Sequence, residues 1–196
     1  MTTITIVRKD GEIAIAADTL TKYSYMKESA EYVVNHEKIF RSGESYIGVA
    51  GSATVCLAIQ DYFARQTKPV KLETITGIYR VWNDLHRVLR DDYYLNPSKN
   101  DDDSVESSRA RALIANPAGI FGVDSYRYVQ EYARVYAHGS GNEFAVGAMW
   151  GAYESALSAE EIARLGVNAA AEFDDSTGPP VKSYVVRSRR PRKRSS

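Results

Sequence analysis

The chain has 196 residues, of which 44% are hydrophobic and 26% are charged, as is typical of a soluble globular protein with room for a real core. Its 25 basic and 25 acidic residues give a formal net charge of zero, so no overall field favours binding to nucleic acid or to an anionic membrane. No apolar run approaches the ~20 residues that span a bilayer, and the opening residues lack the basic-then-apolar order of a signal peptide. We therefore expect a cytoplasmic protein.

The single cysteine, Cys56, cannot form an internal disulfide, so nothing points to an oxidising compartment. It lies in an apolar run, which favours a buried and unreactive thiol. The three histidines show no metal-ligand spacing, and the sequence contains no Cys/His cluster. No metal or other cofactor is predicted.

The chain begins with a predicted β-hairpin. Segments 2–8 and 12–17 are rich in β-branched and other apolar residues, and the Asp10-Gly11 pair between them is a strong hairpin signal. The hairpin returns Asp18, at the end of the second strand, to the neighbourhood of Thr2. Further short strands are predicted at 32–34, 38–40 and 45–50.

Two helices follow these strands. Ser52 is a suitable N-cap for a helix over 53–65. Apolar residues recur at three- and four-residue steps over 72–90, which predicts an amphipathic helix. The next segment, 96–108, is polar and contains the run Asp101-Asp102-Asp103, so it is predicted to be an exposed, mobile loop.

The second half of the chain repeats the order of strands and then helices. Gly139-Ser140-Gly141 opens a helix that runs to about residue 155, and Ser158 begins a capping box for the next helix, over 159–172. A basic tail without apolar residues, 187–196, is predicted to be disordered. The strands of this half are predicted at 109–114, 119–123, 133–137 and 181–186.

Strands therefore arrive in groups rather than alternating singly with helices. This order predicts an α+β fold in which pairs of helices cover antiparallel sheets. We expect one domain over residues 2–186.

Several residues suggest nucleophilic chemistry. Removal of Met1 would leave Thr2 with a free α-amine, a base with a pKa near ~8, beside its own hydroxyl. Lys38 could lower the pKa of that hydroxyl electrostatically if Asp18 holds it nearby, and a backbone N–H at Gly51 could stabilise an oxyanion. Each residue also has an ordinary explanation, namely a common Met-Thr start, a turn aspartate, a surface lysine and a tight turn.

Taken together, these segments resemble the proteasome β-subunits and, more closely in size and simplicity, the bacterial subunit HslV. The resemblance spans Thr2 to about Val186 and suggests a divergent bacterial proteasome homologue. The segments that carry it are Thr2-Thr3-Ile4, Lys9-Asp10-Gly11, Ala16-Ala17-Asp18, Lys38-Ile39-Phe40, Ile47-Gly48-Val49-Ala50-Gly51, Gly139-Ser140-Gly141 and Asp174-Asp175-Ser176-Thr177-Gly178.

The resemblance implies the four-layer αββα sandwich of N-terminal-nucleophile hydrolases and a ring assembly that encloses the active sites. It implies Thr2 as the nucleophile, Lys38 as the residue that tunes its hydroxyl, and Asp18 as the residue that holds Lys38. It further implies an oxyanion N–H at Gly51, a group that steers the proton of the amine, and a substrate-binding pair. The residues that steer the proton are Ser140, Asp174 and Thr177. The residues that bind the substrate are Thr21 and Val49.

Two departures from the family pattern affect these assignments. The chain between Asp18 and Lys38 is a few residues longer than usual, which leaves Lys27 as an alternative to Lys38. Thr21 lies one position closer to Asp18 than the family's substrate-binding threonine.

The predicted activity is a threonine-type endopeptidase that acts on unfolded polypeptides and depends on an ATP-dependent unfoldase for folded ones. A small-amide N-terminal-nucleophile amidohydrolase and a non-catalytic ring subunit are the alternatives. The basic tail is a further candidate contact for an acidic partner or the unfoldase.

Overall fold

The computed structural model describes residues 2–97 and 104–189, and within them the chain forms eleven strands and four helices. One antiparallel sheet has the strand order β10-β1-β2-β11. Its strands are β1 (Thr3–Lys9), β2 (Glu12–Ala17), β10 (Val135–Gly139) and β11 (Lys182–Arg187).

A second antiparallel sheet of five strands follows chain order from β5 to β9. It consists of β5 (Ile39–Ser42), β6 (Ser45–Gly51), β7 (Ala110–Asn116), β8 (Gly119–Val123) and β9 (Val129–Tyr132). A separate small hairpin is formed by β3 (Thr21–Tyr23) and β4 (Met26–Glu28). The helices are α1 (Ala53–Ala64), α2 (Ile75–Asp91), α3 (Asn142–Ala152) and α4 (Ala159–Phe173).

Three apolar clusters define four layers. Helices α1 and α2 pack on one side of the five-stranded sheet, and α3 and α4 pack on the four-stranded sheet. Between the sheets, Ile4 and Ile15 pack with Leu113 and Ile120. The predicted α+β fold and its αββα layering are therefore confirmed.

The first hairpin is buried on both faces, which explains its weak polar–apolar alternation. On β2, Ile13 and Ile15 face the other sheet, whereas Ala14 and Ala16 face the helices. Successive side chains of a strand point to opposite faces. A sheet covered on both sides therefore needs apolar residues at nearly every position.

Some predicted elements differ from those observed. Segment 32–34 is not a strand; it forms turns, with Tyr32 and Val34 exposed by 83% and 95%, because no neighbouring strand pairs with it. Helix α2 begins at Ile75 rather than at residue 72, since Thr74 caps it by accepting a hydrogen bond from the N–H of Gly77 (3.1 Å).

At the carboxyl end, β11 includes Arg187, so the predicted disordered tail begins one residue too early. The next residues remain attached, because the N–H groups of Ser188 and Arg189 donate to the carbonyls of Gly11 and Pro117. The rest of the predicted tail, 190–196, and the Asp101-Asp102-Asp103 run lie outside the described residues.

Among the residues described, no helix has the length and apolar character needed to cross a membrane.

A buried histidine makes the fold acid-sensitive. Burial, helped by the charge of Arg111 and opposed by Asp124, lowers the pKa of His138 from its ordinary 6.5 to about 4. Below pH 6.5 the unfolded chain binds a proton that the folded chain does not, so stability is lost as pH falls from 6.5 towards 4. The difference between these pKa values corresponds to roughly 3 kcal/mol.

We expect His138→Phe to remove about this much of the loss in unfolding free energy between pH 7 and pH 4, measured by urea denaturation. The phenyl ring keeps the edge-on contact with Tyr136 and has no proton to bind. The same pH dependence in both proteins would show that other groups cause the acid sensitivity.

Candidate active site

The first hairpin places Asp18 beside the start of the chain. Ile4 pairs with Ala17 across β1 and β2, so the next residue of β2 reaches the level of Thr3. The Thr3 N–H donates to Asp18 Oδ1 (2.9 Å), and the Asp18 N–H donates to the Thr3 carbonyl (3.3 Å). The sequence prediction that the hairpin returns Asp18 to the neighbourhood of Thr2 agrees with this register.

Asp18 and Lys38 form a buried ion pair. The Lys38 Nζ lies 2.9 Å from each carboxylate oxygen of Asp18, and it also donates to the carbonyl of Leu20 (2.8 Å). The Asp18 side chain is fully buried, and the lysine side chain is 13% exposed. Burial lowers the pKa of Lys38, and the charge and hydrogen bonds of Asp18 oppose that effect.

The connection between Asp18 and Lys38 contains the β3–β4 hairpin. Lys27 lies in β4, where it is exposed and pairs with Lys22 across the hairpin. Lys22 in turn contacts Asp175. Lys38 is therefore the lysine that reaches Asp18, and Lys27 does not fill that position.

The segment Gly139-Ser140-Gly141, between β10 and α3, also contacts the first residues of the chain. The Ser140 N–H donates to the carbonyl of Thr2 (3.0 Å). A Cβ at Gly139, whose φ is +111°, would lie 1.7 Å from that same oxygen, and one at Gly141 would lie 2.7 Å from Thr3 Oγ1. Only glycine permits these close approaches.

Four hydroxyl and carboxyl side chains form a continuous chain of hydrogen bonds next to Thr2. Thr3 Oγ1 lies 2.6 Å from Thr177 Oγ1, which donates to Asp174 Oδ2 (2.6 Å). The Ser140 hydroxyl donates to the same Asp174 oxygen (2.7 Å). The three residues expected to steer the proton of the amine thus share one network, and Thr3 extends it.

A cavity of about 1,060 Å³ opens on one side of Thr2. Its walls include Lys38 and Gly51 together with both residues expected to bind substrate, Thr21 and Val49. Thr2, Gly51 and the two residues expected to bind substrate therefore line one cavity.

Cys56 differs from its prediction, because it is only partly buried and lines this cavity. It lies one turn into α1, a helix that starts beside the Gly51 turn, so the position is set by tertiary structure and not by the apolar run. Burial raises the pKa of Cys56, while the charge of Lys38 and a backbone hydrogen bond from Gly51 oppose that effect.

Thr3 and Gly178 join the site without having been predicted to take part in it. Thr3 joins the hydroxyl network described above, and the Gly178 N–H donates to Asp18 Oδ2 (3.3 Å). A threonine within a strand carries no sequence signal for such a contact. Gly178 lies in the Asp174–Gly178 segment already singled out.

Comparison with solved structures shows close relatives over nearly the whole chain. BPH from Thiobacillus denitrificans is 56% identical with a TM-score of 0.90, and the match covers 95% of this chain and 98% of that one. The same protein in complex with epoxomicin is 55% identical with a TM-score of 0.89 and the same coverage.

A third solved structure shows the same fold at lower identity. HslV from the eukaryote Trypanosoma brucei is 22% identical with a TM-score of 0.68, over 95% of this chain and 99% of that chain. No protein-family model matches the chain, and a search of curated proteins finds no match.

Proposed function

This chain belongs to the proteasome- and HslV-like family of N-terminal-nucleophile hydrolases, and from that premise we propose that it is a threonine-type endopeptidase subunit. The observation that carries the proposal is the Asp18–Lys38 ion pair, which contacts Thr3, the residue next to Thr2. Thr2 becomes the nucleophile once Met1 is removed, because its α-amine is then the nearest base to its own hydroxyl.

The reaction proceeds in two steps. The α-amine takes the proton of the Thr2 hydroxyl as the oxygen attacks the carbonyl carbon of the scissile peptide bond. The same amine then protonates the leaving nitrogen, the C–N bond breaks, and an ester to Thr2 remains. In the second step a water, deprotonated by the amine, attacks the ester and releases the acyl product and the free hydroxyl.

The surrounding residues act on the charges that develop in these steps. Lys38, held by Asp18, stabilises the developing alkoxide of Thr2 and so lowers the pKa of the hydroxyl. The backbone N–H of Gly51 stabilises the oxyanion of the tetrahedral intermediate. Ser140, Asp174 and Thr177 orient the amine and relay its proton.

The substrate is an extended, unfolded polypeptide. The edge of β3 at Thr21 borders the large cavity beside Thr2, and a peptide aligned there hydrogen bonds through its backbone, so recognition does not depend on one side chain. Self-association into rings would enclose such sites in a chamber, and folded substrates would then require an ATP-dependent unfoldase.

Mass spectrometry tests the proposal directly. The purified protein is expected to lack Met1 and to gain one equivalent of epoxomicin, with the adduct on Thr2. The BPH relative has been solved in complex with that compound. Retention of Met1 together with no adduct would contradict the proposal.

Light scattering distinguishes the endopeptidase from a small-amide amidohydrolase. A ring of many subunits supports the chamber, whereas a monomer or dimer favours the amidohydrolase.

The third alternative, a non-catalytic subunit, was motivated by the long connection between Asp18 and Lys38. The two residues nevertheless lie in contact, so that motivation no longer holds.

Ser140→Ala is expected to lower kcat by about 10- to 100-fold, because the amine loses a group that steers its proton. The melting temperature should fall by only a few degrees, since the lost side-chain hydrogen bond to the Asp174 carboxylate is exposed to water. Ser155→Ala is the matched control, because Ser155 is also exposed and forms a comparable bond to the carbonyl of Ala152 (2.7 Å). Equal kcat values in the two variants would remove Ser140 from the mechanism.

A further inference from the structure

A second cavity, of about 620 Å³, adjoins the large one at Thr2. Thr2, Gly51 and Ser52 line both cavities, so the two spaces meet at the proposed nucleophile and oxyanion group. The walls found only in the second cavity include Ser107, Arg109, Arg111 and Ser125. The functions assigned above do not use these four residues.

The two arginines are directed to this cavity by the geometry of β7. Ala110 and Ala112 face the α1–α2 layer, whereas Leu113 packs between the sheets. Because side chains alternate along a strand, Arg111 shares the inter-sheet face with Leu113, at the open end of the cleft. Arg109 precedes the strand with a left-handed φ of +54°, and its N–H donates to Ser107 Oγ (3.1 Å).

The positive charge of this cavity has no counterion in the described part of the chain. Both arginines are exposed, and they are the only charged residues among the described ones that line the cavity. Within 2–97 and 104–189, neither guanidinium forms an ion pair. Asp124 is not among the residues that line this cavity, and its Oδ1 accepts hydrogen bonds from the N–H groups of Tyr126 and Tyr128 (2.9 Å each).

The next step rests on the proposed function. A scissile carbonyl placed between Thr2 and Gly51 divides the substrate into two halves that run in opposite directions. The large cavity, with Thr21, Val49 and the edge of β3, takes the acyl half. The second cavity therefore receives the half that leaves with the new amine.

We propose that Arg109 and Arg111 form a carboxylate-binding subsite for the leaving half of the substrate. Guanidinium groups bind carboxylates through paired N–H donors, which provides direction as well as charge. The carboxylate has two sources, an acidic side chain soon after the scissile bond or the carboxyl terminus of a short peptide. Endopeptidase cleavage is thereby biased towards bonds that an acidic residue follows.

Internally quenched peptides test the subsite and identify the source. One series carries Glu or Gln at the first, second or third position after the scissile bond. A second series ends at one of these positions as a free acid or as an amide. We expect kcat/KM to favour the carboxylate by about two- to fivefold in at least one series, as for exposed ion pairs.

Each outcome has a distinct meaning. A preference for Glu in the first series identifies the side chain, and a preference for the free acid in the second identifies the terminus. Cleavage of all peptides at equal rates overturns the subsite but leaves the endopeptidase in place. Cleavage of none overturns the proposed function and the subsite with it.

Variants assign the preference to the two arginines. In Arg109→Gln/Arg111→Gln the carboxylate-to-amide ratio should fall to about one, whereas Arg80→Gln, which removes an exposed arginine from α2, should keep the wild-type ratio. Each ratio is taken within one protein, so a general loss of activity cancels. An unchanged ratio in the double variant would overturn the assignment.

Two further measurements test the subsite even if the double Gln variant folds poorly. Arg109→Lys/Arg111→Lys keeps both charges and should retain part of the preference. In the wild-type protein the ratio should decline towards one as ionic strength approaches 1 M, where the screening length is about 3 Å. A ratio that does not respond to salt would contradict an electrostatic subsite.

Discussion

Replacement of Thr2 by alanine is expected to lower peptide hydrolysis by about 10⁴-fold or more, because no other group can replace a lost nucleophile. Alanine is small enough for Met1 removal to continue, so the variant keeps a free α-amine and loses only the hydroxyl and its methyl group. The measurement is the steady-state rate on an internally quenched peptide, with epoxomicin labelling followed by mass spectrometry.

Thr2→Ser is the matched control, since it keeps the hydroxyl and the amine. We expect its rate to stay within about tenfold of the wild type, because general-base assistance by the amine survives. Subunit assembly, measured by light scattering, should be the same in all three proteins. Substantial hydrolysis by Thr2→Ala would show that another residue carries out the chemistry.

The second large effect is expected at the buried ion pair. Lys38→Met leaves the fully buried carboxylate of Asp18 without its cation, which should cost about 3–5 kcal/mol in unfolding free energy. The lysine's part in lowering the pKa of the Thr2 hydroxyl is lost as well, so hydrolysis should fall by about 100-fold or more. Urea denaturation and steady-state kinetics measure the two effects separately.

A double variant separates stability from catalysis. Asp18→Asn/Lys38→Met removes both charges and so the unpaired buried carboxylate, which should recover part of the lost stability. Recovery is only partial, because both Asp18 oxygens accept backbone N–H bonds and the amide NH2 group of Asn can only donate. Activity should not recover. If the double variant regained both stability and rate, Lys38 would have only a structural role.

Lys27→Met is the control for the choice of lysine. Lys27 is exposed in β4, so its replacement should change the unfolding free energy by less than about 0.5 kcal/mol and leave hydrolysis unaltered. A loss of activity in this variant with normal activity in Lys38→Met would reverse the assignment.

Local sequence signals predicted much of the framework. The Asp10-Gly11 turn and the apolar runs on either side of it correspond to β1 and β2, and the Ser158 capping box starts α4 as expected. These features depend on hydrogen bonds and side-chain periodicity within a few residues, so a sequence displays them directly.

Features that depend on distant contacts were less predictable. The β3–β4 hairpin turns at Ser24, whose φ is +53°, without the Gly or Asn that usually marks such a turn. Segment 32–34, Tyr-Val-Val, has a composition typical of a strand, but none of the described strands pairs with it. Cys56 resembles a core residue locally, yet its place at the start of α1 beside Gly51 brings it to the cavity wall.

The sequence by itself determined the first hairpin, the four helices and the identity of the residues that resemble the family's catalytic set. Only the tertiary structure decided that Lys38 rather than Lys27 reaches Asp18, and that Arg109 and Arg111 line a cavity beside Thr2. The reason is that hairpins and helix caps form between near neighbours. Contacts between distant segments depend on how the two sheets and four helices pack.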